Sequence, residues 1–241
     1  MLAVLAVAGV AAVVALPVTL GVAPAGAHSP AARPGVMFRP VLCAVPPYDA
    51  ATPVPSRALS ATSCSHTSLL TTANLAVAPS AGAASGFTSN DVIADTALAG
   101  LASTTPARDL PSRVVLLPQM TTRGRHAAPP DRYVLGPAQM TSAAIASARA
   151  HKSQTGAWVV DWSTTPAGAA LWDRIASRAF HRLLAIDVGG TVVSAPIIEP
   201  TEAVFSSFGG RGELAGNFTR AEAMRIARAM NAMNAMNAGR G

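Results

Sequence analysis

Five histidines, His28, His66, His126, His151 and His181, are spread along a chain of 241 residues. None stands at a spacing that gathers metal ligands. His181, Asp187 and Ser194 are close in sequence and have the residue types of an acyl-transfer triad. No nucleophile elbow or oxyanion-hole turn surrounds Ser194, and Asp187 reads as a solvent-facing strand residue, so no catalytic role follows. Gly209-Gly210-Arg211-Gly212 could cradle a phosphate, but it lacks the Lys-Ser/Thr of a P-loop and no helix follows directly; it reads as a flexible linker. Met233 and Met236, within a triple Ala-Met-Asn repeat from Ala229 to Asn237, could offer thioethers to Cu(I). No Cys or His accompanies them, and a frayed helix end is the simpler reading. The Asn217-Phe218-Thr219 sequon reads as a strand-to-helix junction. The sequence thus names no catalytic, cofactor-binding or metal-binding residue.

The chemistry that remains is that of Cys43 and Cys64, the only two cysteines. Leu2 to Val22 is an almost unbroken apolar run ending in Ala25-Gly26-Ala27, small residues that suit signal-peptidase cleavage before His28. No Lys or Arg precedes the run, and it is long enough to span a bilayer. Residues 1–27 are therefore read as a signal peptide or an N-terminal membrane anchor, with preference for the anchor. Either places the remainder outside the cytoplasm: at the cell membrane if anchored, secreted if cleaved after Ala27. In that compartment a lone cysteine pair reads as one disulfide, stabilising by about 3 kcal/mol through loop closure. A zinc site would need further ligands, and only His66 is near.

Composition limits the partners. The formal charge is +6, yet only 12% of residues are charged. The basic residues are scattered and form no stripe that a nucleic acid would follow, so none is expected as a partner. Hydrophobic residues make up 50% but aromatics only 5%, much of the apolar count being alanine. A large, dense core is not expected.

Residues 28–130 are rich in Pro, Ala, Ser and Thr and read as a long irregular connector. Two short strands are expected within it, at Val36–Leu42 and Arg113–Leu117. From about Asp131 to Ala238 the texture is that of a folded domain. Tyr133–Leu135 predicts a strand. Thr141 or Ser142 is expected to cap a helix through Ile145 and Ala148 to about Ser153, with Gly156 past its end. Trp158–Trp162 predicts a strand. Thr165 caps a second helix with Pro166 at its first position, and Leu171, Trp172, Ile175, Ala176 and Ala179 form its apolar stripe. Arg182–Ile198 is the clearest signal, two apolar runs around Gly189-Gly190, a pair suited to a type I′ turn. That turn predicts Val188 facing Thr191, Ile186 facing Val193 and Leu184 facing Ala195. All six would share one greasy face, with Asp187 and Ser194 opposite. Glu213–Gly216 is a possible edge strand, and Thr219-Arg220-Ala221-Glu222 is a capping box starting a last helix, with Ala223, Ile226, Ala227 and Met230 on one face. The fold class is α+β: a small antiparallel sheet with helices packed on one face, a ferredoxin-like arrangement.

This order of elements resembles the head subdomain of the first periplasmic domain in the SecD family, accessory proteins of Sec-dependent export. The residues that carry the likeness are Tyr133-Val134-Leu135-Gly136-Pro137, Trp158-Val159-Val160, Thr165-Pro166 with Gly168, and Leu184-Ala185-Ile186 through Val192-Val193-Ser194-Ala195-Pro196. Gly216-Asn217-Phe218-Thr219 with Glu222-Ala223 completes the set, and Phe38–Leu42 is similar to a piece that precedes the head. Gly189 stands where the family usually has Asp, a swap the turn tolerates. SecD proteins continue into membrane helices bearing a proton-coupling carboxylate and Arg. None of those residues is found here, so proton-driven activity is not carried over. The resemblance implies a non-enzymatic, exported head-like module without cofactors. Its implied partners are Sec translocon components and unfolded translocating polypeptide, bound by β-augmentation or weak hydrophobic capture. A cell-envelope interaction domain with no role in export is the alternative.

Overall fold

A computed structural model describes residues 35–54, 58–64, 95–121, 131–199 and 201–238. The expected leader or anchor, His28, His66, His126 and much of the expected connector lie outside those residues, as do the side chains of Met233 and Met236. Among the described residues no helix is long and apolar enough to cross a membrane.

The α+β class holds, with antiparallel sheets and two α-helices among the described residues. Everything turns on β1 (Met37–Val45), drawn from the Pro-rich part of the sequence. Both faces of this strand are buried, as its run of apolar residues requires. Its first half pairs with β7 (Leu184–Asp187) and its second with β3 (Arg132–Leu135). β4 (Met140–Thr141) flanks it at Met37 and Phe38. Pro40 falls in the gap between β3 and β4, where a missing N–H interrupts no ladder. With β2 (Val115–Pro118) beside β3 and β8 (Val192–Ser194) beside β7, the path runs β2-β3-β1-β7-β8.

The two ends of that path meet. Gln119 forms a parallel bridge to Val192, and the Met120 N–H donates to the Val192 carbonyl at 2.8 Å. The sheet thus curls into a small barrel and covers its own edges. Val115, Leu117, Tyr133, Leu135, Ala185 and Val192 fill the interior.

A second sheet holds β5 (Ile145–Lys152), β6 (Trp158–Thr164) and β9 (Arg211–Phe218), in the order β5-β6-β9. Helices α1 (Pro166–Arg178) and α2 (Arg220–Ala238) share a core with one of its faces. Thr165 caps α1, its hydroxyl accepting from the Gly168 N–H at 3.1 Å. Thr219 and Glu222 form the capping box of α2: the Glu222 N–H donates to the Thr219 hydroxyl, and Glu222 accepts from the Thr219 N–H. Ala223, Ile226, Ala227 and Met230 of α2 are all buried, and Phe38, Leu184 and Ile186 reach into the same core from the barrel wall.

Three expectations are corrected. The helix through Ile145 and Ala148 is strand β5, preceded by a 3-10 turn over Ser142–Ala144. Alanine favours helix in isolation, but Ala148 and Ala150 here lie opposite Trp162 and Val160, where small side chains make room for a tryptophan. Gly156, at φ +83°, belongs to the β5–β6 turn. The predicted hairpin register holds only next to its turn. Asp187 pairs with Val192, but Ile186 pairs with Ser194 and the Leu184 N–H donates to the Pro196 carbonyl. Val193 is the extra residue of a bulge, which moves Ala195 to the barrel side of the sheet. Lastly, the hairpin and the helix-backed sheet are separate sheets.

Candidate functional site

Cys43 and Cys64 are bonded, with Sγ–Sγ 2.04 Å and Cα–Cα 5.8 Å. Cys43 is buried on β1 beside Leu116 and Val134, so the bond ties the loop carrying Cys64 to the barrel wall. At the hairpin tip Gly189 and Gly190 have φ of +62° and +83°, the left-handed region that β-branched residues avoid. A Cβ on Gly190 would lie 3.3 Å from Pro106 Cγ, so the turn also supports a loop.

Asp187 does not face solvent. It is fully buried, and its Oδ2 accepts from Arg39 Nε at 3.3 Å while its Oδ1 accepts from the Gly190 N–H at 3.0 Å. Asp187 is enclosed by the Arg39 side chain from the neighbouring strand β1 and by the loop bearing Asp109, and Arg39 lies 148 residues away along the chain. Arg39, fully buried, also donates to Asp109 at 2.8 Å and to the carbonyls of Leu110, Arg113 and Gly136 at 3.0–3.1 Å. Burial first, then the charge of Asp109 and a hydrogen bond with it, push the Asp187 carboxyl up to about 7 against the pull of Arg39. The His181 ring bonds the Glu202 carbonyl and stacks on Phe180. Asp187, His181 and Ser194 are therefore not assembled as a triad.

Arg132 plays a matching part at the other side of the barrel. It donates to the carbonyls of Pro46, Leu101 and Ala99, and its guanidinium lies 5.8 Å from the Tyr48 ring centroid. Both arginines hold loops that have no ladder of their own.

The Gly-rich segment is an ordered turn rather than a flexible linker. Gly209 and Gly210 have φ of +60° and +71°, and the Gly210 carbonyl accepts from both the N–H and the hydroxyl of Thr164. A Cβ on Gly210 would come within 2.8 Å of Ala169, so only glycine lets the turn lie against α1. Asp173 holds this segment from the helix side, accepting from the Ser207 hydroxyl and the Phe208 N–H.

The turn sets the wall of a groove of about 560 Å³ on the outer face of the second sheet. Two cross-strand rows form its polar floor. Arg149, Asp161 and Glu213 lie side by side across β5, β6 and β9, and Ser163 stands between Ser147 and Arg211. Phe208 forms the apolar wall and continues a row of rings: Trp162 to Trp172 at 4.9 Å, Trp172 to Phe208 at 5.7 Å, Phe208 to Phe205 at 6.0 Å. Val204, next to Phe205 in sequence, is 77% exposed.

The two edges of this sheet differ. At β5 the Asn231 side-chain amide reaches across from α2, accepting from the Ala148 N–H and donating to the Ala148 carbonyl, both at 2.9 Å. It occupies the place of a neighbouring strand, so the first Ala-Met-Asn repeat is a docking element. At β9 no strand lies beyond among the described residues. Among the described residues β9 is thus the uncovered edge of this sheet.

The fold is α+β, and among the described residues no group of three or more His, Cys, Asp or Glu could hold a metal. Residues 118–236 match the sequence model of the SecDF P1 head subdomain. That match begins at the end of β2. No curated protein matches the chain. Among solved structures it is similar, at 32% identity over 40% of its length, to a SecDF described as a membrane component that enhances protein export, with a TM-score of 0.36 and 42% of that chain covered. The same identity and TM-score relate it to SecDF in a super-membrane-facing form, of which 12% is covered. A translocon-associated SecDF from Thermus thermophilus matches at 32% identity, with a TM-score of 0.32 and 13% covered. The chain thus spans under half the length of each, and the likeness rests on the sequence match.

Proposed function

We propose that this chain is an extracytoplasmic accessory module of Sec-dependent protein export that binds unfolded, translocating polypeptide weakly. In this reading the segment Leu2–Val22 tethers it to the membrane. The observation that supports it most is the free edge of β9 beside the groove. An extended chain added there exchanges main-chain hydrogen bonds without regard to sequence, while Phe208 and the mixed-charge floor accept side chains of varied type. Affinity is low because β9 is short and a disordered client loses conformational freedom on docking. Low affinity suits a client that must move on.

The experiment places a photo-crosslinking amino acid at Glu213, and as a control at Val54, which is 63% exposed away from the groove. The full chain is used, because a fragment starting at Asp131 would lack β1 and β2. In cells, irradiation is expected to trap secretory polypeptides or Sec components from position 213 and not from 54. Recovery of neither, with other envelope proteins trapped instead, overturns the export reading in favour of an envelope interaction domain.

A further inference from the structure

Neither the barrel nor the proposed export role requires two carboxylates on one buried guanidinium. Arg39 offers a single positive charge, yet it contacts both Asp109 and Asp187, and all three side chains are at least nine-tenths buried. With both carboxyls ionised, the cluster would bury a net negative charge, a costly arrangement for side chains this buried. A proton on one carboxyl balances it and supplies the hydrogen that the two acids share. The other polar partners are main-chain groups: the Gly190 N–H for Asp187, and the carbonyls of Leu110, Arg113 and Gly136 for Arg39. Met37 adds its sulfur at 3.2 Å from Arg39. Arg108 and Arg113, on the same loop as Asp109, have exposed side chains, so among the described residues Arg39 is the guanidinium that the cluster shares.

We propose that Asp109 and Asp187 form a proton-binding site, and that the shared proton latches the loop Leu101–Arg113 onto the barrel. When the proton leaves for solvent, the two carboxylates repel, and it is the loop that can move, since Asp187 is fixed in β7 and by the Gly190 N–H. Asp109 instead stands on a segment without a ladder, tied at Leu101 to Arg132, at Thr104 to Leu116 and at Pro111 to Ala138. Between Thr104 and Pro111 that segment is held by local turns and by Arg39. The environment of Asp187 agrees in direction, its carboxyl being raised to about 7 from 3.8. The sign follows from linkage. Between those two values the folded state keeps a proton that the unfolded chain has released, so the contribution to stability is full at the acid end and declines as pH rises toward neutrality.

The test is a carboxyl-carbon NMR titration of the full chain, with hydrogen exchange of the Arg108, Leu110 and Arg113 amides followed across the same pH range. Asp187 is expected to titrate near 7. Loop exchange, corrected for intrinsic base catalysis, should rise several-fold through that midpoint. Asp109→Asn should lower the Asp187 midpoint by removing the neighbouring charge. Asp187→Asn, a neutral mimic of the protonated acid, should abolish the step in loop exchange. An Asp187 midpoint in the ordinary carboxylate range overturns the proposal, and that measurement needs no variant. A step in loop exchange that survives Asp187→Asn overturns the latch.

Discussion

The barrel and the helix-backed sheet solve burial in opposite ways. In the barrel half the charges are inside: Arg39, Asp109, Arg132 and Asp187 are all buried, and the arginines spend their donors on loop carbonyls. In the other half they are outside. Its core is apolar, crossed by Trp162, Trp172 and Phe38 at ring separations of 4.9–5.6 Å, and Arg149, Asp161, Arg211 and Glu213 lie on the exposed face. The difference follows from what covers each core. Helices satisfy their own backbone and need only apolar contact, whereas the irregular segments over the barrel bring carbonyls that lack partners. A guanidinium with five donors can serve several of them at once.

If that contrast is right, the largest loss comes from the barrel. Arg39→Ala leaves two buried carboxyls and three carbonyls without their donor and should cost about 3–5 kcal/mol, or prevent folding. Denaturant unfolding of the purified chain measures it; a cost under about 1 kcal/mol, the range of an exposed ion pair, would end the contrast. Next is the disulfide. Cys64→Ser should lower stability by about 3 kcal/mol by freeing a loop whose ends are 21 residues apart. The same denaturant series reads this, and an unchanged midpoint would mean the loop is held by other contacts. Gly190→Val should cost about 1–3 kcal/mol through positive φ, more if Pro106 cannot give way, whereas Gly189→Asn should be nearly silent because Asn tolerates that region and a Cβ there meets nothing. Equal effects at the two glycines in thermal melts would misplace the turn. Smallest is the outer face, where Arg149→Gln should stay within about 0.5 kcal/mol.

What the sequence made legible was local. Gly189-Gly190, Thr165-Pro166 and Thr219–Glu222 each carry their whole signal within a few residues, and turn and caps stand there. What it concealed depended on partners far along the chain. Asp187 looked solvent-facing because nothing near it announces Arg39. β5 looked helical because alanine is the best helix former until a tryptophan on the next strand needs the room. Barrel closure rests on one bridge and one hydrogen bond near Gln119, with no motif to mark it. The groove had a weak trace, since Glu213–Gly216 read as an edge strand, but the cross-strand rows that floor it require the register. Asn231 was hidden in a repeat whose three copies look alike.

The claim that most needs testing is that β9 and its groove receive unfolded polypeptide. A reduced, permanently unfolded protein should be titrated into the isotopically labelled full chain while backbone amide shifts are followed. The expected result is weak, fast-exchange binding, with shifts concentrated in Arg211–Phe218 and at Ser147, Arg149, Asp161 and Ser163, and with the barrel amides still. Shifts confined to the barrel, or none at saturating client, would contradict it.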